Sequence, residues 1–155
     1  MLATVNEEIN KVVLENAPKN AQYIAPKIQK ELLNILANKV QHKIRERIED
    51  AKFCILVDEV FDESCKEQMT IILRYIDCDG FIREHFFEVV NDDDIKASTL
   101  KNEICNVLAQ YNLLIENLRG KGYDGASNMA GEWNGLRYLF LSDCSYAYYV
   151  QCFAH

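Results

Sequence analysis

Apolar residues early in the chain recur at steps of three and four: Ile28, Leu32, Ile35, Leu36, Val40, Ile44 and Ile48 follow Pro26. That spacing is the stripe of an amphipathic helix, in a region that Pro18 and Pro26 punctuate. The other side carries Lys27, Lys30, Lys39, Lys43, Arg45 and Arg47. These read first as a solvated helix face, with contact to a DNA backbone as the minority alternative.

The period then changes. Phe53 to Val57 is an unbroken apolar run, the pattern of a strand buried on both faces, and it leads into Asp58 and Glu59. Met69 to Ile76 and Phe81 to Val90 are rich in β-branched and aromatic residues. Asp77-Cys78-Asp79-Gly80 between them is a turn signal, so the two form an antiparallel hairpin. After the polar break 91–94, Ser98 or Thr99 caps a helix that presents Leu100, Ile104, Val107, Leu108 and Tyr111 on one face. A strand over Leu118–Tyr123 leads to Asp124. A helix from Glu132 to about Leu141 turns Trp133, Leu136 and Phe140 to the core. Ala147 to Cys152, alternating through Tyr146, Tyr148, Val150 and Cys152, is the last strand, with tyrosines that read as sheet packing. Neither internal repeats nor low-complexity segments occur.

The order is helix, three meandering strands, then α-β-α-β, which predicts an α/β fold with the mixed sheet of a ribonuclease-H-like domain. Residues 1–50 form an N-terminal helical segment and 51–155 a partial core. The helix between the hairpin and the fourth strand supplies the crossover for a parallel first and fourth strand. Asp58 and Asp124, sixty-six residues apart, then emerge at one sheet edge. Paired carboxylates there suit divalent metal ions and phosphodiester chemistry. The plain alternatives stay open: Asp58 as an acid ending a buried strand, and Asp124-Gly125 as a turn dipeptide.

Composition narrows the picture. A chain of 155 residues, half of them apolar, has one real core. Its net charge of −7 argues against sequence-independent nucleic-acid binding by this chain alone. The first residues lack a signal peptide's basic and apolar regions, and no apolar run is long enough to span a membrane. Six cysteines without an export signal read as reduced thiols, with Cys54 and Cys105 on apolar faces.

Several segments closely resemble hAT-superfamily transposases: Val57-Asp-Glu59, Lys66-Glu-Gln-Met69, Leu73-Arg-Tyr-Ile76, Gly122-Tyr-Asp-Gly-Ala-Ser-Asn-Met129, Gly131-Glu-Trp-Asn-Gly135 and Cys152-Phe-Ala-His155. The likeness is greatest to host-genome derivatives of the MYM-type and TTF-type zinc-finger kind with a hAT dimerisation region, and runs from about Asn6 to His155. It implies a ribonuclease-H-like core with an Asp-Asp-Glu triad that cuts and joins DNA with Mg²⁺ or Mn²⁺, the ions ~3.5–4 Å apart. Asp58 matches the first acid and Asp124 the second, and Cys152 and His155 match a Cys-x-x-His element tied to DNA handling. It also implies a nuclear location.

The departures set further expectations. The family's Glu, its DNA-binding finger and its dimerisation region have no counterpart here. The chain therefore reads as a truncated transposase core without catalysis, or alternatively as a host interaction or regulatory module. Such a domain binds DNA weakly or not at all by itself, engages a protein partner or itself, and has no membrane role. Ser127 and Asn128 either hold the Asp124 carboxylate or cap the following turn. Cys152 and His155 are two ligands where structural zinc takes four, and a strand-facing Cys152 with a frayed His155 is the plainer reading. Trp133 reads as a core anchor before a base-stacking residue.

Overall fold

The computed structural model describes residues 16, 18, 25–61, 67–92, 96–123, 126–131 and 135–151. They fall into two compact units, 1–40 and 41–155. Helix α1 spans Pro26–Ile48, with its last two turns in the second unit. Pro26 opens it, where a missing N–H would be unpaired anyway. Of the anticipated stripe only Ile44 and Ile48 are buried, whereas Leu32, Ile35, Leu36 and Val40 are exposed.

The second unit is built on a five-stranded sheet of β1 (Phe53–Phe61), β2 (Glu67–Ile76), β3 (Ile82–Asp92), β4 (Leu118–Tyr123) and β5 (Tyr148–Gln151). The strand order is β3-β2-β1-β4-β5. β1 with β2 and β2 with β3 are antiparallel, while β1 with β4 and β4 with β5 are parallel. Among the described residues the second half carries α2 (Ala97–Gln110), the short α3 (Ser127–Ala130) and α4 (Leu136–Asp143), with a single 3-10 turn at Ile115–Asn117. This is the mixed α/β sheet that the order of elements predicts, with the first and fourth strands adjacent and parallel.

Alternation along the strands decides which side chains enter the core. Phe53, Ile55 and Val57 of β1 and Met69, Ile71, Leu73 and Tyr75 of β2 are buried with Leu100 and Ile104 of α2 and Phe140 of α4. Cys54 and Leu56, on the other face of β1, are only half-buried. Among the described residues, burial of β1 is thus one-sided, in contrast to the expectation from its apolar run.

The hairpin turn forms as its sequence predicts. Gly80 takes φ +83°, which a residue without Cβ adopts freely. The Asp77 carboxylate accepts the N–H groups of Asp79 and Phe81 at 3.1 and 2.8 Å. On the far side of the unit, Gln41 Nε2 donates to the Phe87 carbonyl at 2.9 Å, and Tyr111 Oη donates to Gln41 Oε1 at 2.6 Å. These bonds tie the end of α1 to β3 and the end of α2. Arg45 Nε adds bonds to the carbonyls of Tyr111 and Asn112, so this cation of the basic face is engaged within the fold.

Three boundaries and the phase of one strand differ from the sequence reading. β1 continues through Asp58 and Glu59 to Phe61, because β2 pairs with it over its whole length. α2 starts at Ala97, and the Lys96 carbonyl accepts the N–H groups of Thr99 and Leu100. Ser98 and Thr99 therefore lie within the first turn and are not its cap. α4 starts at Leu136, with Leu136 and Phe140 buried as expected, while Glu132 and Trp133 lie outside the described residues. In β5 the phase is reversed: Tyr148 and Val150 are exposed, Tyr149 is half-buried and Ala147 is buried. Pairing of Tyr149 with the buried Lys121 of β4 sets that phase. Among the described residues no helix is long and apolar enough to cross a membrane.

Candidate functional site

The parallel β1/β4 ladder runs Cys54↔Gly120, Ile55↔Lys121 and Leu56↔Gly122. The two glycines are explained by close approach. A Cβ on Gly120 would stand 2.8 Å from Cys54 Sγ, and one on Gly122 2.6 Å from Leu56 Cδ2. The Cys54 and Leu56 side chains thus lie over β4 in the space that glycine leaves. The ladder carries both strands in one direction, and Asp58 follows Leu56 by the same two positions that separate Asp124 from Gly122. Asp124 itself lies outside the described residues, as do Cys152 and His155.

Asp58 pairs with Thr70 and Glu59 with Met69 in the antiparallel ladder. Successive strand residues face opposite ways, so Asp58 belongs to the face of Leu56 and Ile72, and Glu59 to the face of the buried Met69. Both carboxylates are half-buried. Asn128, in the first turn of α3, donates from Nδ2 to Glu59 Oε2 at 2.8 Å. Its neighbour Met129 is fully buried and fixes this short helix to the core. Among the described residues the Asn128 amide thus reaches the acid next to Asp58, while Asp124, which it was expected to hold, lies outside them. Ser127 begins α3, with its side chain outside the described residues.

The segment after α3 closes tightly. A Cβ on Gly135 would lie 2.4 Å from the Gly131 nitrogen, and Gly135 N–H bonds to the Gly131 carbonyl at 3.2 Å. Only glycine fits at 135, so close to the Gly131 backbone. Beside it a cleft of about 460 Å³ is lined by Lys96, Ala97, Ser98, Asn128, Gly131, Gly135 and Leu139.

Two charged groups near this end escaped the sequence reading. Lys101 pairs with Asp143 at 2.6 Å, which joins α2 to α4 and holds the Asp143 carboxyl below its ordinary value. Lys121 is fully buried on β4, with Nζ 5.4 Å from the Phe140 ring centroid, and burial lowers its pKa. Its place between two strand glycines is the one sequence signal that marks it.

Among the described residues no three His, Cys, Asp or Glu side chains stand together as a metal-holding group. Asp58 and Glu59 point to opposite faces, so Glu59 cannot complete a cluster around Asp58 without a change in the strand. The four described cysteines, Cys54, Cys78, Cys105 and Cys144, are free thiols, and burial raises the pKa of Cys54, Cys105 and Cys144.

A family model described as DUF4371, the ZMYM1/FAM200 RNase-like domain, matches residues 1–135. The match takes in Asp58, Asp124, Ser127 and Asn128 and stops before Cys152 and His155. The sheet order, the parallel β1/β4 pair and the crossover through α2 agree with an RNase-like fold. This chain therefore belongs to the ZMYM1/FAM200 RNase-like domain family.

Proposed function

We propose that this chain is an RNase-like domain descended from a hAT-type, metal-dependent DNA-cutting and strand-transfer enzyme, of the MYM-type or TTF-type derived kind. It does not by itself turn over DNA. The observation that carries this reading is the opposed orientation of Asp58 and Glu59. The strand keeps one acid where the parallel ladder leads toward Asp124, and Asn128 holds the neighbouring acid on the other face.

In this proposal Asp58 and Asp124 are what remains of the acidic site. Mg²⁺ or Mn²⁺, when bound to such a site, supplies charge stabilisation to the attacking and leaving oxygens of a phosphodiester. The residues of this chain would contribute position alone: the glycine-spaced ladder sets the two strands close, and Asn128 keeps Glu59 away from Asp58. In this reading the two carboxylates would hold a metal ion without driving cleavage. The net charge of −7 supports weak or no DNA binding by this chain. The alternative reading is an interaction or regulatory module, and a nuclear location for it rests on the family resemblance alone.

A cleavage assay tests this. Labelled duplex and single-stranded DNA are incubated with the purified chain and Mn²⁺, with Asp58→Asn alongside. The proposal expects equal background in both proteins. Nicking by the wild type that Asp58→Asn abolishes would overturn the claim of inactivity while upholding the site.

A further inference from the structure

A cleft of about 820 Å³ opens between the last turns of α1 and the turn that joins β2 to β3. It lies away from the candidate metal site: Tyr75, on its wall, pairs with Phe53 at the start of β1, whereas Asp58 pairs with Thr70 near the other end. Five carboxylates line it, those of Glu46, Glu49, Asp50, Asp77 and Asp79. Against them stand three cations, Lys43, Arg47 and Arg83. Two of these cations are already engaged, Lys43 with Glu46 at 2.7 Å and Arg83 with Asp77 at 2.6 Å. Among the described residues Glu49, Asp50 and Asp79 form no ion pair, and of the lining cations only Arg47 is left to oppose them. The cleft keeps a surplus of two negative charges.

Two further features act in the same direction. The cleft receives the C-terminal end of a 23-residue helix, where the last carbonyls carry partial negative charge. The Arg45 and Ile48 carbonyls accept the N–H groups of Glu49 and Ala51, but among the described residues no backbone N–H reaches the carbonyls of Glu46 and Arg47. Deeper in, Tyr75 is 3% exposed, and its enclosed hydroxyl has no hydrogen-bond partner. The arginines and the acid whose charges bear on this hydroxyl, Arg47, Arg83 and Asp77, all line the cleft, so the hydroxyl is on the cleft side.

We propose that this cleft takes the side chain of an arginine or a lysine from a basic segment of a partner protein. The surplus carboxylates and the helix end meet the cationic head. Ile48, Ala51 and Ile76 on the walls meet its aliphatic stem, which long basic side chains lay along apolar surface. The Tyr75 hydroxyl supplies an acceptor for one of its N–H groups once the head displaces the wall slightly. A metal ion is a poorer occupant, because among the described residues no three of the acids stand close enough to hold one. A polyanion would face the surplus negative charge. The net charge of −7 favours encounter with a basic partner. The proposal uses neither Asp58 nor Asp124, so it stands or falls apart from the metal site.

Amide NMR of the full chain, titrated with an acetylated Gly-Arg-Gly-Arg-Gly peptide and its lysine counterpart, tests it. Both peptides are expected to shift the amides of Glu49, Asp50, Asp79 and Gly80, and the peptide with citrulline in place of arginine to shift none. Asp50→Asn with Asp79→Asn should weaken binding about fivefold or more, and both positions are exposed, so the fold is kept. Tyr75→Phe keeps the ring and should weaken it about threefold. Arg47→Ala removes the opposing cation and should tighten it, the reverse of what an anion site would show. Glu31→Gln, on the exposed first half of α1, should change nothing. Absence of shifts at millimolar peptide would overturn the proposal. So would shifts spread over acids elsewhere on the surface, binding of the citrulline peptide, or binding indifferent to the Asp50 and Asp79 substitutions. Weaker binding in Arg47→Ala would also overturn it.

Discussion

Glu59 accepts a 2.8 Å hydrogen bond from the Asn128 amide across 69 residues of chain. The bond couples the acidic end of β1 to the first turn of α3, the two segments that flank the candidate site. A hydrogen bond to a charged group contributes roughly 1.5–3 kcal/mol when buried, and about 1 kcal/mol at a half-buried position such as this. In a double-mutant cycle of Glu59→Ala and Asn128→Ala, urea unfolding should give a coupling energy of about 1 kcal/mol. Additive effects would mean that the contact does not hold α3 in place.

Lys121 should cost stability where it stands. No carboxylate among the described residues pairs with it, and its neighbours include Phe140, Cys144 and Arg137. Replacing a buried charge with a hydrophobe of similar length commonly stabilises by ~1–4 kcal/mol, so Lys121→Met should raise the Tm. The pH dependence has a definite sign. Burial lowers the folded-state pKa below the ordinary value of 10.5, so the native protein binds fewer protons than the unfolded chain in the window just beneath 10.5. This group makes stability rise with pH there. The buried thiols of Cys54, Cys105 and Cys144 have raised pKa values and act oppositely above pH 9.0. The lysine contribution is therefore read as the wild-type curve minus the Lys121→Met curve, and a flat difference would contradict it.

Two glycines should respond for different reasons. At Gly135 the backbone is extended and ordinary, but an added Cβ meets the Gly131 backbone at 2.4 Å. Gly135→Ala should destabilise by ~1–3 kcal/mol or more, since backbone cannot yield as a side chain can. At Gly80 the space is open and the φ of +83° is the obstacle, so Gly80→Ala should cost only about 1 kcal/mol. Chemical denaturation of both variants ranks the two effects.

Gln41 satisfies a buried set of polar groups at once: the Phe87 carbonyl, the Glu88 carboxylate and the Tyr111 hydroxyl. Gln41→Leu keeps the bulk and strips all three of their partner, so it should cost ~2–4 kcal/mol. Gln41→Leu in a Tyr111→Phe background should cost less, because one orphaned group is gone.

Periodicity made most of the architecture legible. The β1 run, the hairpin with its Asp77–Gly80 turn, the α2 face from Leu100 to Tyr111 and the limits of β4 all follow from local spacing. What spacing could not reveal depended on pairing. Tyr148 and Val150 alternate as a buried face would, yet register with Gly120 and Gly122 puts them on the open one. Val57-Asp-Glu59 reads as the end of a strand, but β2 carries the ladder three residues past Asp58 and so turns Glu59 away from it. The link from Asn128 to Glu59 is a contact in space, and nothing in either segment alone announces it. At the α2 start, Ser98 and Thr99 are good cap residues, but the Lys96 carbonyl closes the first turn.

The measurement that tests the central claim most directly is calorimetric titration of Mn²⁺ into the purified chain. Asp58→Asn, Asp124→Asn and Glu59→Gln are titrated in parallel, each first shown to be folded by circular dichroism. The account predicts a binding heat in the wild type that either Asp58→Asn or Asp124→Asn abolishes and Glu59→Gln leaves intact. No heat in the folded wild type, or binding that survives Asp58→Asn, would contradict a residual site built on Asp58 and Asp124.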